Sequence, residues 1–187
     1  MPGIRDARIL MLATDGFEQL ELTVPRDQLR KAGARVDVAS PKGGPIRGWS
    51  FTDWGETVPS DLKIAEVKPD DYAALVLPGG VISPDKLRVD EEAMKIVRTF
   101  LDSGKVVAAI CHAPWLLVQA DAVRGLNVTS FKSIRKDVEN AGGKWADKEV
   151  VTDKGIVTSR SPDDLEAFVP KIIEEIEEGR HERHRAA

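Results

Sequence analysis

The stretch Val-Val-Ala-Ala-Ile-Cys-His-Ala-Pro-Trp-Leu-Leu, residues 106–117, decides the fold of this chain. Its first five residues are apolar and mostly β-branched, a pattern typical of a buried parallel strand. Pro114 and the apolar residues after it predict the first turns of a helix, because proline is favoured at the first helical position. Cys111 is therefore predicted to lie at a strand-to-helix corner, with the small residues Ala109 and Ala113 two positions to either side.

Two interpretations of Cys111 are open at this point. Such a corner lifts a side chain above the sheet, and the helix N-terminus beyond it lowers a thiol pKa, so Cys111 is a candidate nucleophile. The alternative is that this lone cysteine is a small core residue. His112 is a candidate base, or else a packed histidine at the helix start. Neighbouring residues of a regular helix point about 100° apart, so the two side chains cooperate only if the corner departs from helical geometry.

Further strand–loop–helix units lie before this corner. Apolar runs predict strands at residues 8–13, 35–39 and 73–77, and helices follow at residues 21–32 and after Asp90. Glu18 lies in the loop after the first strand, where an exposed position is the alternative to a functional one. Gly79 and Gly80 follow the third strand; they form either an ordinary turn or a loop whose N–H groups face a bound oxygen.

The rest of the chain continues the alternation of strands and helices. Residues 40–58 are rich in Gly, Pro and Trp, which predicts an ordered excursion from the main sheet, a segment with short β-strands. A helix at residues 133–141, a hairpin around residues 153–155 and a last helix opened by Ser161 follow. Because the strands are too apolar to be half exposed, the pattern predicts an α/β fold, a mostly parallel sheet with helices on both faces.

Length and composition narrow the class of protein. The 187 residues, 42% of them hydrophobic, predict a single domain at residues 7–178, and residues 179–187 lack an apolar anchor and predict a disordered tail. The balance of 31 acidic and 27 basic residues shows no basic stripe, which argues against nucleic-acid binding. The single cysteine and the lack of a long apolar N-terminal segment predict a cytoplasmic protein without disulfide or membrane span. One Cys and three His, including His181 and His184 of the tail, offer no zinc spacing, so neither metal nor cofactor is expected.

Four motifs carry a resemblance to a known family. They are Gly16-Phe17-Glu18, Leu77-Pro78-Gly79-Gly80, Ala109-Ile110-Cys111-His112 and Thr158-Ser159-Arg160. In this order, and over residues 7–178, they resemble the ThiJ/PfpI family, and residues 39–44 and 83–88 look like its PfpI-type intracellular protease and deglycase branch. The resemblance implies a flavodoxin-like three-layer sandwich with a cysteine nucleophile at a strained elbow.

The resemblance also implies roles for residues of the site. Cys111 would be the nucleophile and Glu18 the buried acid whose carboxyl group contacts its thiol. His112 would be the neighbouring base. The backbone amides of Gly80 and His112 would form the oxyanion hole, and Gly79 would lie against the substrate.

Two further positions bear on substrate and assembly. Ala113 stands where the family usually has Gly, and its methyl group is expected to lie at the substrate pocket and narrow it. Asp85, by its position after the glycines, would reach the histidine of an adjacent subunit in a homodimer, or in a hexamer built from such dimers. The alternative for Asp85 is that it caps the following turn.

Two functions from different classes follow. The first is a cysteine-dependent hydrolase or lyase acting on small reactive carbonyls such as methylglyoxal, on their protein adducts, or on peptides. The second is a redox-responsive stress protein or holdase in which Cys111 is oxidised beside Glu18 without turnover. A glutamine amidotransferase is disfavoured, since those enzymes place a His-x-Glu pair where this chain has Ser159-Arg160-Ser161.

Overall fold

A seven-stranded sheet forms the centre of the computed structural model, which describes residues 3–183. The strands are β1 Arg8–Leu12, β2 Phe17–Glu18, β3 Arg35–Ser40, β4 Ile46–Ser50, β5 Asp53–Val58, β6 Leu62–Lys63, β7 Ala74–Leu77, β8 Val106–Ile110, β9 Asn127–Val128, β10 Lys144–Trp145, β11 Val150–Asp153 and β12 Ile156–Ser159. The helices are α1 Gln19–Lys31, α2 Ile82–Leu87, α3 Glu91–Asp102, α4 Pro114–Gln119, α5 Arg135–Asn140 and α6 Leu165–Glu178.

The strand order of the main sheet is β11-β12-β8-β7-β1-β3-β6. All neighbouring strands run parallel except β11 and β12, which form the predicted antiparallel hairpin. The strands β8, β7 and β1 are adjacent at the centre, so the loops after their carboxyl ends meet at one edge of the sheet. In open α/β sheets that edge is where ligands bind.

Helices cover both faces of the sheet, as the sequence predicts. Alternate residues of β8 enter different apolar clusters: Ala108 packs with Phe168 and the rest of the α1 and α6 layer, whereas Ala109 packs with Phe100 and the layer of α2 to α5. The two phenylalanines are fully buried, and burial of such a side chain stabilises a fold by about 1.5–3 kcal/mol. Within residues 3–183, no helix has the length and apolar character needed to cross a bilayer.

A smaller sheet projects from residues 40–58, confirming the predicted ordered excursion. Strands β4 and β5 pair antiparallel, and β2 adds to β4 in parallel. Trp49 and Trp54 meet edge to face across the hairpin with ring centroids 5.5 Å apart. Because β2 ends at Glu18, this hairpin is attached directly to the segment that enters α1.

Helix α1 begins two residues before its predicted start at residue 21. Glu18 is its N-terminal flanking residue, and Pro25 lies inside the helix, where it removes one helical hydrogen bond. Glu21 lies in the first turn of α1, on the same buried side as Leu22 and Leu29. The register of α1 therefore decides which acidic residue faces the sheet.

The described part of the C-terminal tail packs against the domain. The N–H of His181 donates to the carbonyl of Gly104 at 2.9 Å, and the guanidinium group of Arg183 donates to the carbonyls of Leu101, Lys105, Lys154 and Gly155. This differs from the predicted disorder of residues 179–187, because buried backbone carbonyls supply partners that composition does not reveal. Residues 184–187, including His184, lie outside the described residues.

Candidate functional site

Cys111 follows β8 in a backbone conformation that L-amino acids rarely adopt. Its φ is 65°, in the left-handed region, which costs a non-glycine residue about 1–3 kcal/mol. Two hydrogen bonds hold this conformation: the Cys111 N–H donates to Ser159 O at 3.0 Å, and the Phe131 N–H donates to Cys111 O at 2.8 Å. The predicted corner is confirmed, and it departs from helical geometry as cooperation between Cys111 and His112 requires.

The thiol and the imidazole are in contact. Cys111 Sγ lies 3.1 Å from His112 Nδ1, and the two residues are only 6% and 7% exposed. The ring stacks on Phe131 with centroids 4.8 Å apart and meets Trp115 edge-on at 5.2 Å, while Nε2 lies 3.0 Å from Ser133 Oγ. Burial lowers the pKa of His112 to about 4, so the ring is neutral at pH 7 and can accept a proton.

The acid beside the thiol is Glu21. Its side chain is fully buried, its Oε2 accepts the Gly79 N–H at 2.8 Å, and its carboxyl group interacts with the Cys111 thiol. Burial and then the charge of Glu18 raise the pKa of Glu21 to about 8, although hydrogen bonds from Cys111, Gly79 and Gly80 oppose the shift. Glu21 is therefore mostly protonated at pH 7 and carries an O–H to donate to sulfur.

The pKa of the Cys111 thiol reflects the same surroundings. Burial raises this pKa, and the negative charge of an ionised Glu21 raises it further, whereas backbone N–H groups of Gly80 and His112 lower it. When Glu21 is protonated, its contribution to the rise disappears, because the two groups titrate as a coupled pair. The resting site therefore holds a protonated thiol, and the thiolate forms most easily beside a neutral Glu21.

Glu18 occupies a neighbouring position. Its carboxylate accepts backbone hydrogen bonds from Phe51 and Gln19, burial raises its pKa, and its own N–H donates to Gly79 O at 3.0 Å. The contact with the thiol that was predicted for Glu18 is thus made by Glu21, because Glu21 lies on the buried side of α1 whereas Glu18 precedes the helix. Glu18 instead lies beside the glycine loop at 8% exposure.

Both loop glycines are required by close approaches. A Cβ at Gly79 would overlap Glu21 Oε2 and Cys111 Cβ, and a Cβ at Gly80 would lie 2.6 Å from Glu18 N. Gly80 also has a φ of 80°. The N–H of Gly79 donates to Glu21 Oε2 and its carbonyl accepts from the Glu18 N–H, so Gly79 positions Glu21; its contact with the substrate stays a prediction.

The amide pair predicted as an oxyanion hole converges on the sulfur. Hydrogen bonds from the N–H groups of Gly80 and His112 to Cys111 lower the thiol pKa, so both donors lie beside the sulfur; their role as an oxyanion hole stays a prediction. Ala113 is different: it is fully buried in the apolar cluster of the α2 to α5 layer. Its methyl group packs in the core, which corrects the expectation that it narrows the pocket.

Asp85 lies on α2 and connects to the site only indirectly in one chain. Its Oδ1 accepts from Arg88 Nη2 at 2.6 Å, and its side chain is 55% exposed. The Arg88 guanidinium lies 4.6 Å from the Trp115 ring centroid, and Trp115 touches His112. Asp85 therefore ends a short series of contacts that begins at His112, and its ion pair makes it neither a turn cap nor a ligand of His112 in its own chain.

A cluster of possible metal ligands lies elsewhere. In the described residues, Glu175, Glu178 and His181 have ligand atoms within 4.8 Å of one another. His181 Nε2 is 3.3 Å from Glu175 Oε2, an ion pair when the histidine is protonated. His181 also bonds Gly104, which precedes β8, so this cluster lies at the opposite edge of the sheet from Cys111.

Sequence reasoning missed two residues of the site. Glu21 carried a usable signal, because it shares the inward face of α1 with Leu22, Pro25 and Leu29, and a carboxylate in an apolar stripe needs a buried partner. Ser133 carried none, since its contact with His112 depends on how the loop after β9 folds back.

Comparison with known proteins places this geometry among relatives. The DJ-1/PfpI family model matches residues 7–175. Protein/nucleic acid deglycase 2 of Escherichia coli (strain K12) is 48% identical over 164 residues, which cover 86% of this chain and 92% of that protein. The putative cysteine protease YraA of Bacillus subtilis (strain 168) is 42% identical over 162 residues, 86% and 93% of the two chains. The crystal structure of Drosophila melanogaster DJ-1beta superposes with a TM-score of 0.82 at 28% identity, covering 92% and 94%.

Proposed function

This chain belongs to the DJ-1/PfpI family, and from that premise we propose that it is a cysteine-dependent hydrolase of small reactive carbonyls and of the adducts they form with amino groups. One observation carries the proposal: the Cys111 thiol faces neutral His112 at 3.1 Å beneath two backbone N–H groups. Relatives named deglycase and cysteine protease support an activity of this class.

The first step would be addition of the thiol to the carbonyl carbon. A bond forms between Cys111 Sγ and carbon, the thiol proton passes to His112 Nδ1, and the carbonyl oxygen gains the negative charge. The N–H groups of Gly80 and His112 stabilise that oxygen. Because His112 has a pKa of about 4, it holds the proton only briefly and returns it to the oxygen, which yields a neutral adduct.

The overall reaction on an amine adduct of methylglyoxal consumes one water and releases the free amine and lactate. The bond from Cys111 Sγ to C1 forms as the bond from C1 to nitrogen breaks, a hydrogen then moves from C1 to C2, which oxidises C1 and reduces the C2 ketone, and water hydrolyses the resulting thioester of Cys111. His112, once protonated, supplies the proton that the departing amine needs. The protonated carboxyl group of Glu21 donates to sulfur whenever Cys111 carries negative charge, which stabilises the thiolate before attack and after release.

The burial of the nucleophile favours small or protruding substrates. Cys111 is 6% exposed, and Phe131 and Trp115 contact His112 beside it. A terminal aldehyde or a modified side chain can enter such a site, whereas an internal peptide bond needs an extended chain to lie across it. Reactive carbonyls are therefore preferred over peptides in this proposal.

We also propose that the active unit is a homodimer in which Asp85 approaches His112 of the partner subunit. Three observations support this assembly: Asp85 is exposed, and Val81 and Val89 of the same segment are apolar and 53% and 77% exposed. Exposed apolar residues that flank a charged group are typical of interfaces between subunits.

Side-by-side kinetics would test the function. Wild-type protein, Cys111→Ser and the surface control Glu92→Gln are assayed on methylglyoxal, on a purified lysine adduct free of methylglyoxal, and on a fluorogenic peptide. We expect lactate from the first two substrates, lost in Cys111→Ser and retained in Glu92→Gln. Lactate formation independent of Cys111 would defeat the proposal, and turnover of the peptide alone would replace it with a peptidase. Suppression of aggregation by wild type that is lost in Cys111→Ser, without turnover of any substrate, would indicate the redox-responsive holdase.

A further inference from the structure

We propose that Ser133 is a positioning residue that holds His112 in the one tautomer able to take the proton of Cys111. This inference rests on the proposed function of the same site. Its basis is a pair of contacts on opposite sides of one imidazole ring: Nδ1 lies 3.1 Å from Cys111 Sγ, and Nε2 lies 3.0 Å from Ser133 Oγ.

A neutral imidazole carries a single N–H, so its two tautomers differ in function. When the hydrogen is on Nε2, it donates to Ser133 Oγ, and the Nδ1 lone pair faces the thiol and can accept its proton. When the hydrogen is on Nδ1, it faces sulfur and blocks that transfer. The low pKa of His112 keeps the ring neutral at pH 7, so this choice exists over the whole physiological range.

The Cys111 thiol and the Ser133 hydroxyl favour the same tautomer of His112. Burial keeps Cys111 protonated, so its S–H needs an acceptor, which is Nδ1. A serine hydroxyl can accept as readily as it donates, so Ser133 completes the arrangement by accepting from Nε2. After proton transfer the imidazolium carries two N–H groups, and each still has a partner.

Other neighbours of His112 fix the ring without selecting a tautomer. Phe131 and Trp115 contact its face and edge, and the indole N–H of Trp115 is used by Asp137 Oδ2 at 2.8 Å. The charged and titratable groups around the ring are the thiol, Glu21 and Glu18 on the sulfur side, and the pair of Arg88 with Asp85 behind Trp115. In the described chain, Ser133 Oγ is the hydrogen-bond partner of Nε2.

Loss of the hydroxyl should therefore slow reactions of the thiol at neutral pH. We expect Ser133→Ala to lower the rate of Cys111 alkylation by iodoacetamide at pH 7 by roughly 10-fold, the lower end of the range for a hydrogen bond to a group that becomes charged, because Ser133 is exposed and water competes for Nε2. Ser133→Thr, which keeps the hydroxyl, should return the rate to within about threefold of wild type. Because Cys111 is the only cysteine, the label reports this site alone.

The decisive readout is the tautomer itself. Long-range proton–nitrogen NMR of histidine-labelled protein, assigned with His181→Gln and His184→Gln variants, should show Nε2–H at His112 in wild type and in Ser133→Thr, and added Nδ1–H in Ser133→Ala. Lys132→Ala, in the same loop, is the matched control and should leave tautomer and alkylation unchanged. Urea midpoints confirm that each variant is folded.

Neither measurement requires turnover, so this inference and the proposed function can fail separately. Folded Ser133→Ala with a wild-type tautomer and alkylation rate would overturn the inference. The inference would also fail if Ser133→Ala kept the wild-type tautomer and alkylation rate while Asp85→Ala changed them. In that case the partner subunit's Asp85, and not Ser133, would be the group that binds Nε2. A Ser133→Thr variant as slow as Ser133→Ala would equally reject the hydroxyl as the cause.

Discussion

Glu21 Oε2 accepts the Gly79 N–H at 2.8 Å, a bond that joins the first turn of α1 to the loop after β7. Both residues are buried, and both lie next to Cys111, one on α1 and the other in the loop after β7. The bond fixes the carboxyl group beside the thiol and the peptide of Gly80 above it. This single hydrogen bond thus fixes the positions of both the Glu21 carboxyl group and the Gly80 N–H relative to Cys111.

Glu21 predicts an unusual pH dependence of stability. Its folded-state pKa of about 8 lies above the ordinary value of 4.5, so the folded chain retains a proton that the unfolded chain has lost. The stability that the protonated Glu21 contributes is therefore fully present below pH 4.5. It is lost as pH rises from there through about 8, by about 1.4 kcal/mol per pH unit. The side chain that Glu21→Gln introduces does not titrate. The free energy of unfolding of this variant, minus that of wild type, should therefore rise by roughly 3 kcal/mol between pH 5 and pH 7.5.

Urea denaturation at several pH values would measure this difference, with Glu92→Gln as the exposed control that should follow wild type. His112 acts in the opposite sense, because its pKa of about 4 lies below the ordinary value and its stabilisation is lost as pH falls below 6.5. That contribution is common to all three proteins and cancels in the comparison. A constant difference between Glu21→Gln and wild type would contradict a buried protonated carboxyl.

The backbone at Cys111 predicts a reversal of the usual ranking of alanine and glycine. Glycine normally destabilises an ordered element relative to alanine, but at φ 65° the Cβ is the cost. Cys111→Gly should therefore be more stable than Cys111→Ala by about 1 kcal/mol in urea denaturation. Both variants should be inactive, and an alanine variant more stable than the glycine variant would disprove the strain.

The glycine loop should not tolerate a methyl group. Gly79→Ala would force Cβ into Glu21 Oε2, Ile110 O and Cys111 Cβ, and backbone cannot move aside cheaply. We expect a loss of roughly 3 kcal/mol or more, in the range for overpacked cores, or a failure to fold. Gly44→Ala is the matched control, because an added Cβ there meets nothing within 4 Å. Similar unfolding midpoints for the two variants would show that the loop adapts.

Substitution of Asp85 distinguishes a surface ion pair from a contact with the site of the partner subunit. Its ion pair with Arg88 is exposed and is worth at most about 1 kcal/mol, so Asp85→Ala should unfold within that margin of wild type. If Asp85 meets His112 of the partner subunit, light scattering should show a dimer and Asp85→Ala should lose turnover several-fold, while Glu92→Ala should not. A monomer with full activity that depends on Cys111 would remove the partner from the mechanism.

The layered fold was predictable from the sequence because its signals are local. Five apolar residues before Cys111 predict β8, Pro114 predicts the start of α4, and the turn at residues 153–155 predicts the hairpin. The contact of the thiol with His112 was also within reach, since it needs only a break in helical geometry.

The correct acid and the second partner of the imidazole were not predictable in the same way. The choice between Glu18 and Glu21 depends on which way the first turn of α1 faces, and no capping side chain marks the start of that turn in the sequence. Ser133 is brought to His112 by a loop whose path is set by the Phe131 N–H on Cys111 O, a contact across the sheet edge. Such contacts belong to tertiary structure and leave no local pattern.

The site draws on residues from four segments of the chain: α1, the loop after β7, the corner after β8 and the loop after β9. During synthesis Glu21 and Gly79 leave the ribosome well before Cys111, and the sheet that unites them closes only through long-range parallel pairing, which is slow. Until then Cys111 is an ordinary thiol with neither the buried acid nor the amides around it. A change in the rate at which Cys111 reacts with a labelling reagent during refolding would therefore report when the last stage of folding is complete.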